Sequence, residues 1–319
     1  RQRQMCIRDR CCIMKVTKQT FATFTRKKVP LANTIHHSSF LYNQFKKLNL
    51  CKFYSNRVIN HLMSILISIF ISGYHGKITD FAKSSSCHRT TIAHFLNSGK
   101  WNDSLLSDAL KQAVIEIIYS EAARTGKPVF CIVDDTIASK TKPSSRALHP
   151  IEDAYFHRSH LKKKQDYGHQ AVAVILSCNG IVLNYAFVMY NKSISKIDIV
   201  QNIAKELAAE LSVTHNGFDL ATVKKRKYYV YRWSIEIFFR QCKDKMALDG
   251  YQLCSAQRIK RYWLLMSLAH FMCIAGTGEF CSFETGYHKI CGIVQLEKYR
   301  YLFQCAKEGD DFDSFIVVK

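Results

Sequence analysis

Four residues between positions 229 and 243 have the types and spacing to do chemistry together. Tyr229, Arg232, Glu236 and Lys243 are separated by three, four and seven positions, gaps that share one face of a helix turning every 3.6 residues. Ile235, Phe238, Phe239, Cys242 and Met246 form an apolar stripe roughly 100° around the same helix. One side packs into a core while the other offers a carboxylate flanked by cations, which suits a metal-binding acid beside a phosphate chain. Glu236 also has a plainer role open to it, as an exposed partner of Arg240 four residues on. Trp233 is open to two readings, a ring that stacks on a flipped base or a core residue. The buried stripe of its helix favours the core.

A second acidic pair stands upstream. Gly126-Lys-Pro128 breaks a helical pattern, and Val129–Val133 then reads as a short strand whose tip carries Asp134-Asp135-Thr136. Positions 137–166 are polar and basic, with His149, His157, His160 and Lys162–Lys164, and read as a loop. The His-x-x-His pair at 157 and 160 has metal spacing, but no Cys or further acid joins it, so a phosphate-facing loop fits better. Gly168–Ser177 and Ile181–Tyr190 form a hairpin about Cys178-Asn179-Gly180, a strong turn signal. Lys196–Leu211 is an amphipathic helix, and Arg261–Gly276 is a mostly apolar one. Asp134-Asp135 alone could simply cap a loop.

Residues 60–120 are helical in pattern. Within them, positions 78–97 have the layout of a helix-turn-helix: small Ala82 where two helices would touch, a polar turn at Ser84–Ser86, and Ile92 and Phe95 as anchors. The second helix begins near Cys87 and shows His88, Arg89, Thr90, Thr91 and His94, donors suited to base edges and phosphates. A helical hairpin without DNA binding fits the same pattern.

The 319-residue chain carries a net charge of +21, which points to a polyanion, nucleic acid before membrane surface. Residues 1–60 hold thirteen Lys/Arg against the single acid Asp9, so over half of the excess lies there. With 48% hydrophobic residues a sizeable core is available and disorder is excluded as the default. The thirteen cysteines include no Cys-x-x-Cys pair, and most sit in apolar runs (Cys131, Cys178, Cys242, Cys273). They read as reduced core thiols of a cytoplasmic protein. The run Leu62–Ile71 is shorter than the ~20 residues a bilayer requires and reads as a buried helix. Residues 1–10 look like translated adaptor sequence, with Met14 a plausible start, and they are set aside from fold reasoning.

A strand bearing Asp, a hairpin, a helix and a later helix bearing Glu together outline an α/β, ribonuclease-H-like core. In such cores carboxylates hold two divalent metals about 4 Å apart for in-line displacement at phosphorus. Tyr229-x2-Arg232-x3-Glu236-x6-Lys243 resembles the YREK signature of DDE transposases of bacterial insertion sequences. Asp134-Asp135-Thr136, Gly168–Val174 and Arg232–Arg240 resemble the same group, over roughly residues 60–305. The resemblance implies Asp135 as first catalytic acid and metal ligand, with Asp134 the less favoured alternative, and Glu236 as last metal ligand. Tyr229, Arg232 and Lys243 would bind phosphates of the transposon end. It further implies Mg2+ or Mn2+, terminal inverted repeats and target DNA as partners, a homodimer on DNA, and a nucleoid-associated bacterial protein with no membrane role.

One departure stands out. The family carries a second Asp on a strand between the helix corresponding to Lys196–Leu211 and the Glu helix, followed by a further helix and strand. Here only Ser212–Tyr228 fills that interval, 17 residues, where such elements need about 25. Asp219 is its only acid and a poor stand-in, and Lys224–Tyr231, which holds the Tyr229 match, resembles a segment that in the family lies well upstream. The expected organisation is a basic arm over 1–59, a helical DNA-binding domain over 60–125, an incomplete core over 126–305 with a gap near 212–228, and a tail over 306–319. The corresponding functions are metal-dependent DNA strand cleavage and transfer, or DNA binding by a defective remnant. A phosphotransferase with Asp134 or Asp135 as nucleophile is a third option, but it leaves the Glu helix without a role.

Overall fold

The computed structural model describes residues 38–71, 74–85, 87–147, 150–159, 163–214 and 232–308. Six helices come first: α1 (Ser39–Lys47), α2 (Leu50–Phe53), α3 (Asn56–Ile69), α4 (Ile78–Lys83), α5 (Arg89–Ser98) and α6 (Asp103–Thr125). Side-chain caps start several of them. The Ser38 hydroxyl accepts from Leu41 N, Ser55 from Val58 N and Asn102 from Ser104 N, each satisfying an orphan first-turn amide. As expected from the apolar run at 62–71, α3 is buried, with Leu62 through Ile69 all inside. Helix α6 stops at Gly126, whose φ of 65° is the left-handed cap that a glycine takes without strain.

Four strands follow, β1 (Phe130–Ser139), β2 (Tyr155–Ser159), β3 (Lys164–Cys178) and β4 (Ile181–Tyr190), in one antiparallel sheet. β3 is its centre. One edge of β3 pairs with β1, from Phe130↔Ser177 to Ser139↔Gly168. The other edge pairs with β4 and, beyond it, with β2, end to end. Asn179 and Gly180 both have positive φ (48° and 85°), the tight hairpin turn that Asn-Gly predicts. Among the described residues no strand pairs with the outer edge of β1.

Four helices complete the chain: α7 (Lys196–Thr214), α8 (Trp233–Met246), α9 (Ala256–Ala275) and α10 (Phe283–Lys307). α8 buries the stripe expected of it, Ile235, Phe238, Phe239, Cys242 and Met246. Phe187 of β4 packs edge-on against Phe238 of α8 and Trp263 of α9, at 5.9 and 5.1 Å between ring centres. α9 is buried along nearly its whole length and meets α3, α5, α6, α10 and β4. One continuous hydrophobic cluster therefore runs from Leu41 to Val294 through helices and sheet. Gly286 lets α10 cross α9 closely, since a Cβ there would lie 1.6 Å from the Cys273 carbonyl oxygen.

The mixed α/β class holds, and several local expectations are corrected. β1 does not end before the acids: it continues through Asp134, Asp135 and Thr136 to Ser139, because its pairing partner β3 is itself longer than the apolar alternation shows. The segment 137–166 is not one loop, since β2 and the start of β3 lie in it. His157 is buried on β2 and does not face a phosphate from a loop, while His149, His160 and Lys162 lie outside the described residues. Every described cysteine is a free thiol, but Cys131 is exposed on the edge strand, unlike buried Cys178, Cys242 and Cys273. α10 occupies positions whose sequence showed no clear pattern. No described helix is long and apolar enough to cross a membrane.

Candidate functional site

Successive residues of a strand point to opposite faces, and in β1 this separates the two acids. Asp134 stands opposite Ala173 and Asp135 opposite Val172. Arg232, the residue that caps the start of α8, donates from Nη2 to Asp134 Oδ2 at 2.9 Å and lies 3.7 Å from Glu236 Oε1. A strand acid and a helix acid thus share one guanidinium. Asp135 turns the other way. Lys196, at the start of α7, donates to its Oδ2 at 2.7 Å, and buried Gln170 of β3 donates to Oδ1 at 3.0 Å. The acid that the structure brings to Glu236 through Arg232 is therefore Asp134. Asp135, the residue favoured by the resemblance, is held on the α7 side.

All five of these charged groups are partly open to water, with Arg232 46% and Glu236 40% exposed. Pairs in such surroundings contribute under about 1 kcal/mol each to stability. Their value is positional: Arg232 keeps two carboxylates close that would otherwise repel.

Lys243, three turns along α8 from Arg232, donates to the Ile137 carbonyl at 3.2 Å and pairs with Asp249 at 3.5 Å. It ties α8 to the end of β1. Beside it, Lys140 donates to the carbonyls of Asp249 and Tyr251 at 2.7 and 2.9 Å, with its ammonium 3.4 Å from the Tyr251 ring centre. Burial pushes this lysine down to about 8. The Tyr251 hydroxyl meets His169 Nδ1 at 2.7 Å, and His169 Nε2 meets the Glu152 carbonyl at 2.8 Å. A carbonyl only accepts, so Nε2 carries the proton and Nδ1 takes one from Tyr251. Gly168 precedes this histidine opposite Ser139 of β1; a Cβ there would lie 2.1 Å from the Ala138 carbonyl oxygen.

Trp233 is not a core residue. It is 62% exposed at the first turn of α8, because the buried stripe begins only at Ile235 and Trp233 precedes it on another face. Tyr229 and Asp219 lie outside the described residues. The sequence did not single out Lys196, Gln170, Lys140 or Asp249. Gln170 lay within a quoted motif and Lys196 opened a predicted helix, but partners across a sheet leave no mark on local spacing.

The second candidate surface is the α4–α5 pair. His88 caps α5, its Nδ1 accepting from Thr90 N. His88, Arg89, Thr90, Thr91 and His94 are all exposed, while Ile92, Phe95 and Leu96 are buried beneath them. Asp80 closes the start of α4 by accepting from His75 N and Lys77 N at 3.0 and 3.1 Å. Buried Arg261 of α9 fastens the far end of α5: it donates to the carbonyls of Phe95 and Trp101 at 3.1 Å each and pairs with Asp103 at 3.2 Å.

The described residues contain no group of three or more His, Cys, Asp or Glu positioned to hold a metal ion. Asp134 and Glu236 are two hard oxygen donors, fewer than a two-metal centre requires. The described residues therefore do not by themselves fit such a centre. Compared with known proteins, the chain matches no family model, no curated protein and no solved structure.

Proposed function

We propose that this chain is a DNA transposase of the YREK-signature group of bacterial insertion sequences, built on an incomplete ribonuclease-H-like core behind a helix-turn-helix. The observation that carries the proposal is Arg232 set between Asp134 of β1 and Glu236 of α8. An acid of edge strand β1 and an acid of α8 converging at one cation supply part of what phosphoryl transfer on DNA needs: carboxylates for divalent cations, and a guanidinium for a phosphate. The antiparallel order of β1, β3 and β4 supports the core, and the exposed donors of α5 support reading of a duplex groove. Asp134 and Glu236 are two of the carboxylates that such a metal site needs, and Lys243 keeps α8 docked on β1.

A second reading is a remnant that binds DNA without cutting it. It is favoured by the outer edge of β1, where a ribonuclease-H-like core places its next strand and where no described strand lies.

The test is a cleavage assay on transposon-end DNA with Mg2+ or Mn2+, comparing the wild type with Asp134→Ala, Asp135→Ala and Glu236→Ala. Cutting abolished by Glu236→Ala and by one of the two Asp variants supports the transposase. Binding that weakens with salt, without cutting, supports the remnant. Absence of both would reject the two readings together.

A further inference from the structure

The outward face of α10 has no part in the site just described. At 100° per residue, Lys289, Leu296, Tyr299, Arg300, Phe303 and Lys307 fall within one arc of the helix, opposite the buried positions Ile290, Val294 and Cys305. Its three large side chains are open to water: Leu296 is 49%, Tyr299 56% and Phe303 63% exposed. The three cations, Lys289, Arg300 and Lys307, are exposed as well.

Acids are kept off this face. Between positions 285 and 307 the only one is Glu297, and it is turned to the start of α1, accepting from the Ser38 hydroxyl at 2.5 Å and from Phe40 N at 3.1 Å. The Lys307 ammonium stands 4.8 Å from the Phe303 ring centre, and the Tyr299 hydroxyl accepts from Gln295 at 2.9 Å. Rings are thus held in place with cations beside them.

The charge of this stripe decides its occupant. A second copy would bring three cations against three, and the chain as a whole carries +21. A polyanion is complementary, and aromatic faces interleaved with cations suit unpaired bases joined by phosphates better than a closed duplex. We infer that this face of α10 is a docking surface for single-stranded DNA, with Tyr299 and Phe303 stacking on bases and Lys289, Arg300 and Lys307 meeting phosphates. The inference rests on the DNA-directed reading above and extends it to unpaired strands.

The experiment is fluorescence anisotropy of the full chain with a labelled single strand of about 20 nucleotides and with the duplex of the same sequence, over a range of salt. Tyr299→Ala/Phe303→Ala weakens single-strand binding about tenfold or more and duplex binding far less, since stacking on each base is lost. Arg300→Gln/Lys307→Gln lowers the salt slope for the single strand by about 1.4, at about 0.7 per phosphate contact. Unchanged circular dichroism and Tm establish that the variants fold.

Wild-type affinity in the aromatic variant overturns the inference. So does binding of the wild type through these residues to phosphatidylserine vesicles in place of DNA, or loss of self-association in the variant with DNA binding intact. Duplex binding that responds to Arg89→Ala while both α10 variants stay silent rejects the α10 surface alone. Single-strand binding lost with α10, with no end-specific duplex binding or cutting, keeps the surface and rejects the transposase. No binding to either form rejects both.

Discussion

Arg232 and Asp134 meet at 2.9 Å, joining the first turn of α8 to the middle of β1. The bond crosses from one secondary-structure layer to the other where two carboxylates face each other. Because the groups are partly exposed, Arg232→Ala changes stability by less than about 1 kcal/mol. On the transposase reading it also lowers affinity for transposon-end DNA about tenfold, the loss of a charge-assisted phosphate contact. Urea unfolding and DNA titration on the same preparation check the two together. A large stability loss with unaltered DNA binding would make the residue structural.

Arg261 behaves in the opposite way. Its buried guanidinium serves the carbonyls that end α5 and the loop at Trp101, and it lies 4.6 Å from the Trp101 ring centre. Arg261→Met leaves buried acceptors without donors and costs about 3 kcal/mol or more. Denaturant midpoints measure this, and a cost under about 1 kcal/mol would contradict the anchoring role.

Arg89→Ala and Thr91→Ala, both on the open face of α5, leave Tm within a degree or two of wild type, as surface changes do. On the same reading they weaken binding to the transposon end by about 1–3 kcal/mol each through lost base contacts, with little effect on unrelated duplex. Competition binding with scrambled duplex separates the outcomes. Equal losses on both sequences would make these residues phosphate contacts only.

His270 gives the fold a pH dependence. It is buried, stacked at 4.9 Å on Phe283 and edge-on to Phe238 at 4.8 Å. Burial holds its imidazole down to about 3. The unfolded chain takes up this proton near pH 6.5, the folded one only near 3, so stability is fully present above 6.5 and is lost as the pH falls through that window. In His270→Phe the slope of stability against pH between 6 and 4 is smaller by close to one proton, about 1.4 kcal/mol per pH unit. Buried His61, His157 and His169, lowered in the same direction, keep part of the slope in the variant. Parallel curves for wild type and variant would contradict the assignment.

The sequence was most informative where one element's own residues decide its structure. The apolar stripe of α8, the Asn179-Gly180 turn and a helix beginning within two residues of Cys87 were all legible, because helical period and turn chemistry are local. β2 was not. Tyr-Phe-His-Arg-Ser has no alternation and is a strand only because the overhanging start of β3 offers it a partner. α10 hid for another reason: its first half packs on α9, while its second half buries only Cys305 and carries rings as well as cations on its open side, so apolar residues do not mark its buried face. In the site, residue types pointed to Glu236 and Arg232. The choice between Asp134 and Asp135 could not be read, since adjacent strand residues differ only in which layer lies over them.

The outer edge of β1 has a practical side. An edge that faces no described strand is a template for any extended chain, and exposed Cys131 and Val133 add a thiol and a bare apolar patch to it. Where that edge is unpaired, as it is among the described residues, strand addition between folded copies is the route by which the sheet lowers solubility. The charge of +21 works against that by keeping copies apart. Added salt removes the repulsion and leaves the edge, so purification at high ionic strength favours the precipitate.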